Sequence, residues 1–234
     1  MKVVSVLVPC YNTAPYIAEA IRSVFAQTHK QWELIIADDG STDDTADVVE
    51  SLIAGQPVTL LKLPHGGCAA ALKAALDAAT GDVVTFLGSD DTLMSNSLSV
   101  GVPPFQDTSV GYVWTAWKFM GTDRHGWSKP LPPGTTLWSA ICNCGWWGAG
   151  CQQFWSLDFY RKSRGLDTSI SSAVDYQIAV LLGETGCATK HVPVVTYVYR
   201  HPRPGSMSTS GRAKQKACDK LIRQRSLEYM RGKA

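Results

Sequence analysis

The sequence predicts an α/β fold of three layers, in which helices cover both faces of a mainly parallel central sheet and a basic helix ends the chain. The first observation is that apolar, strand-like runs alternate with helical segments over about the first 90 residues, with short connections between them. The second is that acidic pairs follow two of these runs. The third is an uneven charge, with a net +6 over residues 211–234 and −4 over the remainder.

Four strands are predicted from short runs of β-branched and aliphatic residues, and the first of these runs is typical of a strand buried on both faces. They are Val3–Val8, Glu33–Ala37, Val58–Leu63 and Val83–Leu87. Apolar residues at helical spacing lie between them, and the first helix carries its apolar stripe from Ile17 to Phe25. The second helix can be capped by Thr42 or Asp43, and Gly66-Gly67 opens an Ala-rich third helix. This alternation predicts a parallel sheet.

The second half of the chain departs from this alternation from about Val102 onward. Prolines divide it into short stretches, and seven of the eight tryptophans lie between Trp114 and Trp155. Later elements are predicted as a helix over Ser172–Leu182, a strand over Val192–Tyr199, a loop over Arg200–Gly211 and a basic helix over Ala213–Met230. Because no linker divides the chain, we expect one domain over residues 1–211, with halves 1–95 and 96–211, followed by a basic helix or tail over 212–234.

Composition excludes several classes of protein. A hydrophobic content of 45% and a charged content of 18% are typical of a folded domain and argue against disorder. No apolar run reaches the roughly 18 residues of a spanning helix, and the opening residues predict a first strand rather than a secretion signal. The seven scattered cysteines are odd in number, which favours a reducing compartment, so we expect a cytoplasmic protein.

Two acidic pairs fall where predicted parallel strands end. Asp38 and Asp39 follow the second strand, and Asp90 and Asp91 follow the fourth. Ligands of open α/β sheets bind beyond the carboxyl ends of the strands, and paired carboxylates there suit a hard divalent cation such as Mg²⁺ or Mn²⁺. Helix capping is the commoner role for a single such Asp. No Gly-rich phosphate loop follows the first strand, so a metal on a diphosphate is the expected solution.

Three segments together resemble the family 2 glycosyltransferases, which have the Rossmann-like GT-A fold. They are VSVLVPCYNTAPYIAEAIRSVFAQT, ELIIADDGSTDDT and GDVVTFLGSDD, which cover most of the first 95 residues. Weaker similarity continues in GLDTSISSAVDYQIAV and YVYRHPRPGSMS. The resemblance implies an inverting transfer of a sugar from a nucleotide diphosphate, with UDP as the expected nucleotide, to an acceptor hydroxyl of a glycan, a lipid-linked glycan or another compound.

The resemblance also implies roles for residues of the first half, which would bind the nucleotide sugar. Pro9 and Tyr11 would line the base pocket, and Asp39 would accept a hydrogen bond from the base. Asp91, with Asp90 beside it, would hold the divalent metal and the sugar diphosphate.

Residues of the second half would contribute the remaining chemistry. Asp175 would be the general base that deprotonates the acceptor. Arg200, His201 and Arg203 would contact the departing diphosphate. Trp146-Trp147, flanked by glycines, is a candidate aromatic platform for the acceptor, although most tryptophans of this region are expected to be structural.

Two departures from the family pattern keep alternatives open. The family often has Asp where Gly88 stands and Glu where Val174 stands, so a catalytically degenerate nucleotide-sugar-binding scaffold is one alternative. A nucleotidyltransferase is a weaker alternative. Those enzymes usually carry a Gly-rich basic loop after the first strand, whereas this sequence has Pro9-Cys10-Tyr11-Asn12 there.

The basic carboxyl-terminal segment has three interpretations. Its charges can form a solvated helix surface, with apolar positions such as Leu221 and Ile222 docking on the body. They can instead contact an anionic membrane surface at the inner face, as a lipid-linked acceptor would require. Nucleic acid is the third partner class and is not expected, because no other feature of the sequence suggests groove recognition.

Overall fold

A computed structural model describes residues 1–126, 128–145, 152–170, 172–201 and 212–233. In its first part, strands and helices alternate as the sequence predicts. The elements are β1 (Val4–Cys10), α1 (Ala14–Phe25), β2 (Trp32–Asp38), α2 (Thr45–Ile53), β3 (Val58–Lys62), α3 (Cys68–Ala78) and β4 (Val83–Phe86). The first two strands extend slightly beyond their predicted ends, since Cys10 pairs with Asp38 in parallel register.

The second part has shorter helices and longer strands. The elements are β5 (Thr92–Leu93), α4 (Ser97–Gly101), a 3₁₀ helix (Pro103–Gln106), β6 (Val110–Phe119), β7 (His125–Gly126), α5 (Leu137–Cys142), β8 (Gln153–Ser156), α6 (Leu157–Lys162), α7 (Val174–Glu184), β9 (Ala188–Tyr199) and α8 (Arg212–Arg231). Both the predicted late helix and the predicted basic helix are therefore present, with ends shifted by one or two residues.

The described strands form one sheet in the order β3-β2-β1-β4-β8-β6-β9-β5, with β7 paired to β6. The four strands β3, β2, β1 and β4 are all parallel, and β6 is parallel to β9. Strand β8 is antiparallel to both β4 and β6 and so joins the two parts. The expected α/β class, with a mainly parallel central sheet, is confirmed, while the proposed domain limits stay a prediction.

Apolar side chains cover both faces of the sheet, as a three-layer fold requires. One core packs α3, α5 and α7 on one face, and the other packs α1 and α2 on the opposite face. Trp114 and Trp155 are each 1% exposed in the first core, which explains part of the tryptophan-rich stretch as structural. Among the described residues, no helix combines the length and apolar character of a membrane-spanning segment.

The basic helix α8 docks on the body against α5 and α7. Ile222 is 1% exposed in the core that includes α7. The hydroxyl of Ser226 accepts a hydrogen bond from Trp138 Nε1 at 2.9 Å and donates one to Glu184 Oε1 at 2.6 Å. Glu184 also forms a two-pronged ion pair with Arg164, at 2.9 and 3.1 Å. The docking interpretation of this segment is therefore the one that the structure supports.

Candidate functional site

The loops after β1 and β2 lie side by side at the carboxyl edge of the sheet. Asn12 adopts a left-handed backbone with φ of 51°, which its short polar side chain tolerates. Its side-chain oxygen accepts a hydrogen bond from the N–H of Thr42 at 2.8 Å, and its own N–H donates to the hydroxyl of Ser41 at 3.0 Å. These bonds fix the two loops against each other and position the residues on either side of them.

Asp39 is a buried carboxylate with a fixed orientation. It is 3% exposed, and its two oxygens accept hydrogen bonds from the N–H groups of Gly66 and Gly67, each at 2.8 Å. His65 Nδ1 lies 2.9 Å from Asp39 Oδ2, and the ring of Tyr11 stacks on His65 with centroids 4.3 Å apart. Oδ1, which accepts from Gly66 alone among these groups, retains acceptor capacity for a further donor.

The predicted base pocket therefore contains a fixed carboxylate beside two rings. Tyr11 is 43% exposed and so has a free ring surface, whereas Pro9 is buried within β1. A flat nucleobase requires this combination of a ring to pack on and an acceptor to pair with. Its assignment as the base pocket remains a prediction, with His65 as an added ring.

The loop after β4 carries Asp90 and Asp91. Asp91 is 4% exposed, and burial together with the neighbouring charge of Asp90 raises its pKa to about 7. Its Oδ2 accepts a hydrogen bond from the hydroxyl of Tyr197 at 2.6 Å, and its Oδ1 accepts one from the N–H of Arg200 at 2.7 Å. A carboxylate with so high a pKa lies where a cation would relieve both the burial and the repulsion.

Arg200 connects this loop to α1. Its Nε donates to the backbone oxygen of Asp90 at 2.8 Å, and its NH2 group forms an ion pair with Glu19. The guanidinium also lies over the ring of Tyr16, 5.1 Å from the centroid. His201 stacks on Tyr199 with centroids 5.7 Å apart. Of the two described candidates for diphosphate contact, Arg200 is the one placed beside the acidic pair.

Asp175 lies in the first turn of α7 and is partly buried. Desolvation is the largest cause that raises its pKa to about 6, and the charge of Asp219 on α8 adds to it. The backbone N–H of Tyr176 donates a hydrogen bond to it. Its charge also raises the pKa of Cys68 at the start of α3 and that of Tyr112 on β6.

Cys68 relates the two predicted centres of the site to each other. Burial raises the pKa of its thiol to about 12, with smaller contributions from Asp175 and Asp39. Both carboxylates are therefore near enough to one side chain at the start of α3 to raise its pKa.

The donor set after β4 fits a metal that is shared with a ligand. Within the described ranges, no three His, Cys, Asp or Glu side chains come together as a cation site. Mg²⁺ is commonly held by only one or two carboxylates, with phosphate and water oxygens completing its octahedron. Asp91 and Asp90 are such a pair, so they suit a cation that arrives with a diphosphate.

Some candidates lie outside the described residues, and some contributors were not predicted. Trp146, Trp147 and Arg203 fall outside the described ranges, so their roles stay predictions. Tyr197 and Asp219 were not expected from the sequence. Tyr197 occurs in the segment YVYR beside the candidate Arg200, whereas no sequence signal pointed to Asp219.

A family model described as glycosyl transferase family 2 matches residues 5–171. The chain belongs to this family. A chondroitin synthase of Pasteurella multocida and a hyaluronan synthase of the same species are each 30% identical over a 200-residue alignment that covers 83% of this chain. The chain spans 20% of the length of each of these two relatives.

Two solved structures share the fold. Residues 1–349 of S. aureus TarS, in complex with UDP-GlcNAc, match with a TM-score of 0.70 and 22% identity, over 89% of this chain and 61% of that one. The mannosyltransferase PcManGT from Pyrobaculum calidifontis, in complex with GDP-Man and Mn²⁺, matches with a TM-score of 0.68 and 25% identity, over 89% of this chain and 59% of that one. The GT-A fold expected from the resemblance is confirmed.

Proposed function

We propose that this chain transfers a sugar, with inversion, from a nucleotide-diphosphate donor to an acceptor hydroxyl. The observation that carries the proposal is the buried Asp91, which lies beside Asp90 at the carboxyl edge of the sheet with Arg200 bonded to both. Family membership supports glycosyl transfer as the reaction. UDP is the proposed nucleotide, because the TarS structures include complexes with UDP and with UDP-GlcNAc.

The nucleotide-sugar donor would contact the site through two of its parts, the base and the diphosphate. The uracil would pack on Tyr11 and donate its N–H to Asp39, whose position is fixed by two backbone hydrogen bonds. The diphosphate would lie at Asp91 and Asp90, with Arg200, His201 and Arg203 as its cationic contacts. Mn²⁺ or Mg²⁺ bound there would neutralise the charge that develops on the departing diphosphate.

Asp175 would act as the general base. It would take the proton of the acceptor hydroxyl as that oxygen attacks the anomeric carbon and the bond to the diphosphate breaks. Attack from the face opposite the leaving group inverts the configuration. A pKa of about 6 leaves the carboxylate ionised at neutral pH and makes it a stronger base than an exposed Asp.

The acceptor is proposed to be a glycan, since two relatives are named as polysaccharide synthases. With α8 docked, the exposed lysines Lys214, Lys216 and Lys220 at its start are the groups available to an anionic membrane surface. Peripheral contact through them is part of the proposal and would suit a lipid-linked acceptor.

Thermal unfolding with UDP, GDP, CDP and dTDP, each with and without Mn²⁺, tests the donor site. A ligand at 100 times its Kd adds about 2.7 kcal/mol, which corresponds to a shift of roughly 5–10 °C for a chain of this size. We expect a metal-dependent shift with UDP that Asp39→Ala and Asp91→Ala abolish. The absence of a shift with every nucleotide would contradict the proposal.

A catalytically degenerate binding protein is the second candidate, favoured by Gly88 and Val174, where the family often has acidic residues. An assay of transfer from UDP-sugars distinguishes the two. Donor binding that persists in Asp175→Asn while turnover collapses supports the enzyme. Donor binding without turnover in the unmodified protein supports the degenerate alternative.

A further inference from the structure

Gly88 is packed so closely by its neighbours that no side chain fits at this position. A Cβ atom at this position would come 2.7 Å from Asp91 Oδ2 and 3.2 Å from the hydroxyl oxygen of Tyr197. Contacts below 3.0 Å essentially never occur for real Cβ atoms, so any side chain here would displace the Asp91 carboxylate. The carboxylate and the phenol hydroxyl together occupy the space beside the glycine.

Tyr197 is held rigidly in that space. It is 1% exposed on β9, where it pairs with Leu93 of β5 on one side and with Trp117 of β6 on the other. Its hydroxyl accepts a hydrogen bond from the N–H of Gly88 at 3.1 Å. The same hydroxyl donates to Asp91 at 2.6 Å, so its proton is directed at the carboxylate.

The second oxygen of Asp91 is bound from the same strand end. The N–H of Arg200, which follows β9 directly, donates to Oδ1 at 2.7 Å. Two donors that approach the two oxygens define the plane of the carboxylate. The remaining lone pair on each oxygen then points in a fixed direction, as an octahedral cation with strict geometry requires.

We propose that Tyr197 is a positioning residue for Asp91. The tyrosine hydroxyl and the carboxylate fill the space that a side chain at position 88 would need, and the hydrogen bond between them orients the carboxylate toward a metal-bound diphosphate. The proposal deepens the proposed function and rests on it, because the ligand of Asp91 is taken to be the metal with the nucleotide diphosphate. It explains why the site has glycine at position 88 and a tyrosine on β9.

Calorimetric titration of Mn²⁺ into the protein with saturating UDP tests the proposal without an activity assay. Loss of a hydrogen-bonding partner of a metal ligand typically weakens metal affinity by 10–100-fold, so we expect Tyr197→Phe to raise the Kd of Mn²⁺ by about 10-fold or more. UDP affinity without metal should be unchanged. Tyr112→Phe is the matched control, because Tyr112 is equally buried and its hydroxyl has no hydrogen-bond partner among the described residues.

Gly88→Ala is a second variant that leaves the phenol intact and displaces the carboxylate instead. It too should weaken Mn²⁺ binding. Unchanged Mn²⁺ affinity in Tyr197→Phe, together with loss of binding in Asp91→Ala, would overturn the role of Tyr197 and leave the metal site in place. Unchanged Mn²⁺ affinity in Asp91→Ala would overturn both this role and the proposed metal site.

Discussion

Replacing Asp175 by Asn should make the protein more stable at neutral pH while it stops transfer. The amide keeps the shape of the side chain and an oxygen that can accept the N–H of Tyr176, but it carries no charge to desolvate. The native carboxylate is disfavoured by burial and by the charge of Asp219. A residue selected only for stability would not be expected to carry such a cost.

The magnitude follows from the pKa of Asp175. A rise from 3.8 to about 6 corresponds to about 3 kcal/mol of destabilisation by the ionised group. Because the Asp175 side chain is partly exposed, screening by solvent reduces this cost to about 2 kcal/mol. For a chain of this length, that corresponds to a rise in Tm of about 4–8 °C in the variant.

The pH dependence has a definite sign. Well below pH 3.8 the group is protonated in both the folded and unfolded states, so the difference in Tm between the two proteins should shrink as pH falls toward 4. Between pH 4 and 6 the unfolded state releases its proton first, so the unmodified protein loses stability as pH rises. The difference in Tm between the Asp175→Asn variant and the unmodified protein should therefore grow between pH 4 and 6 and stay constant above about pH 7.

Differential scanning calorimetry from pH 4 to 8, with a transfer assay at pH 7.5, measures both effects. Turnover should fall by about 10²–10⁴-fold, the usual contribution of a general base. Asp167→Asn is the control, because hydrogen bonds from Ser169 and the charge of Arg225 lower the pKa of Asp167, so its loss should destabilise the protein at neutral pH. An Asp175→Asn variant less stable than the unmodified protein at pH 7.5 would refute this reasoning.

Three further substitutions test neighbouring features. Asp219→Asn should lower the acidic pKa in the pH profile of kcat/KM, because it removes a negative charge near Asp175; an unchanged profile would exclude the coupling. Arg164→Met should lower the free energy of unfolding, measured by urea denaturation, by about 3–5 kcal/mol. The reason is that the Glu184 side chain is only 2% exposed and would lose its cation; a decrease below about 1 kcal/mol would contradict this. Asp39→Asn should lower the free energy of unfolding by about 1–3 kcal/mol, because its NH2 group would face one of the two backbone N–H donors and leave that donor unpaired. It should also reduce the thermal shift with UDP, and unchanged stability would contradict that geometry.

The first half of the fold could be predicted because its order is local. Strand and helix periods are each visible within about ten residues, and the parallel connections are short. The two acidic pairs were placed correctly at the carboxyl edge because parallel strands end on the same side of a sheet. The position of Asp175 in the first turn of a helix also followed from a local pattern.

The second half could not be predicted in the same way, because its partners are distant in sequence. Tyr197 and Asp91 are separated by 106 residues and meet only when β9 enters the sheet. Asp219 acts on Asp175 only because α8 packs on α7, which depends on buried groups such as Ile222 rather than on helix propensity. The spacing of apolar residues within a strand or helix does not indicate which distant residues will come into contact.

The position of β8 has a consequence for how the chain can be divided. Strand β4 is paired on one side by β1 and on the other by β8, whose residues come about 70 positions later. Thr85 donates a hydrogen bond to the backbone oxygen of Gln153 at 2.8 Å across this seam. A fragment ending near residue 95 would leave β4 as an open, apolar edge strand, the kind of surface on which chains add to one another. During synthesis, the sheet of the first half is therefore protected from self-association only after β8 has been made and has paired with β4.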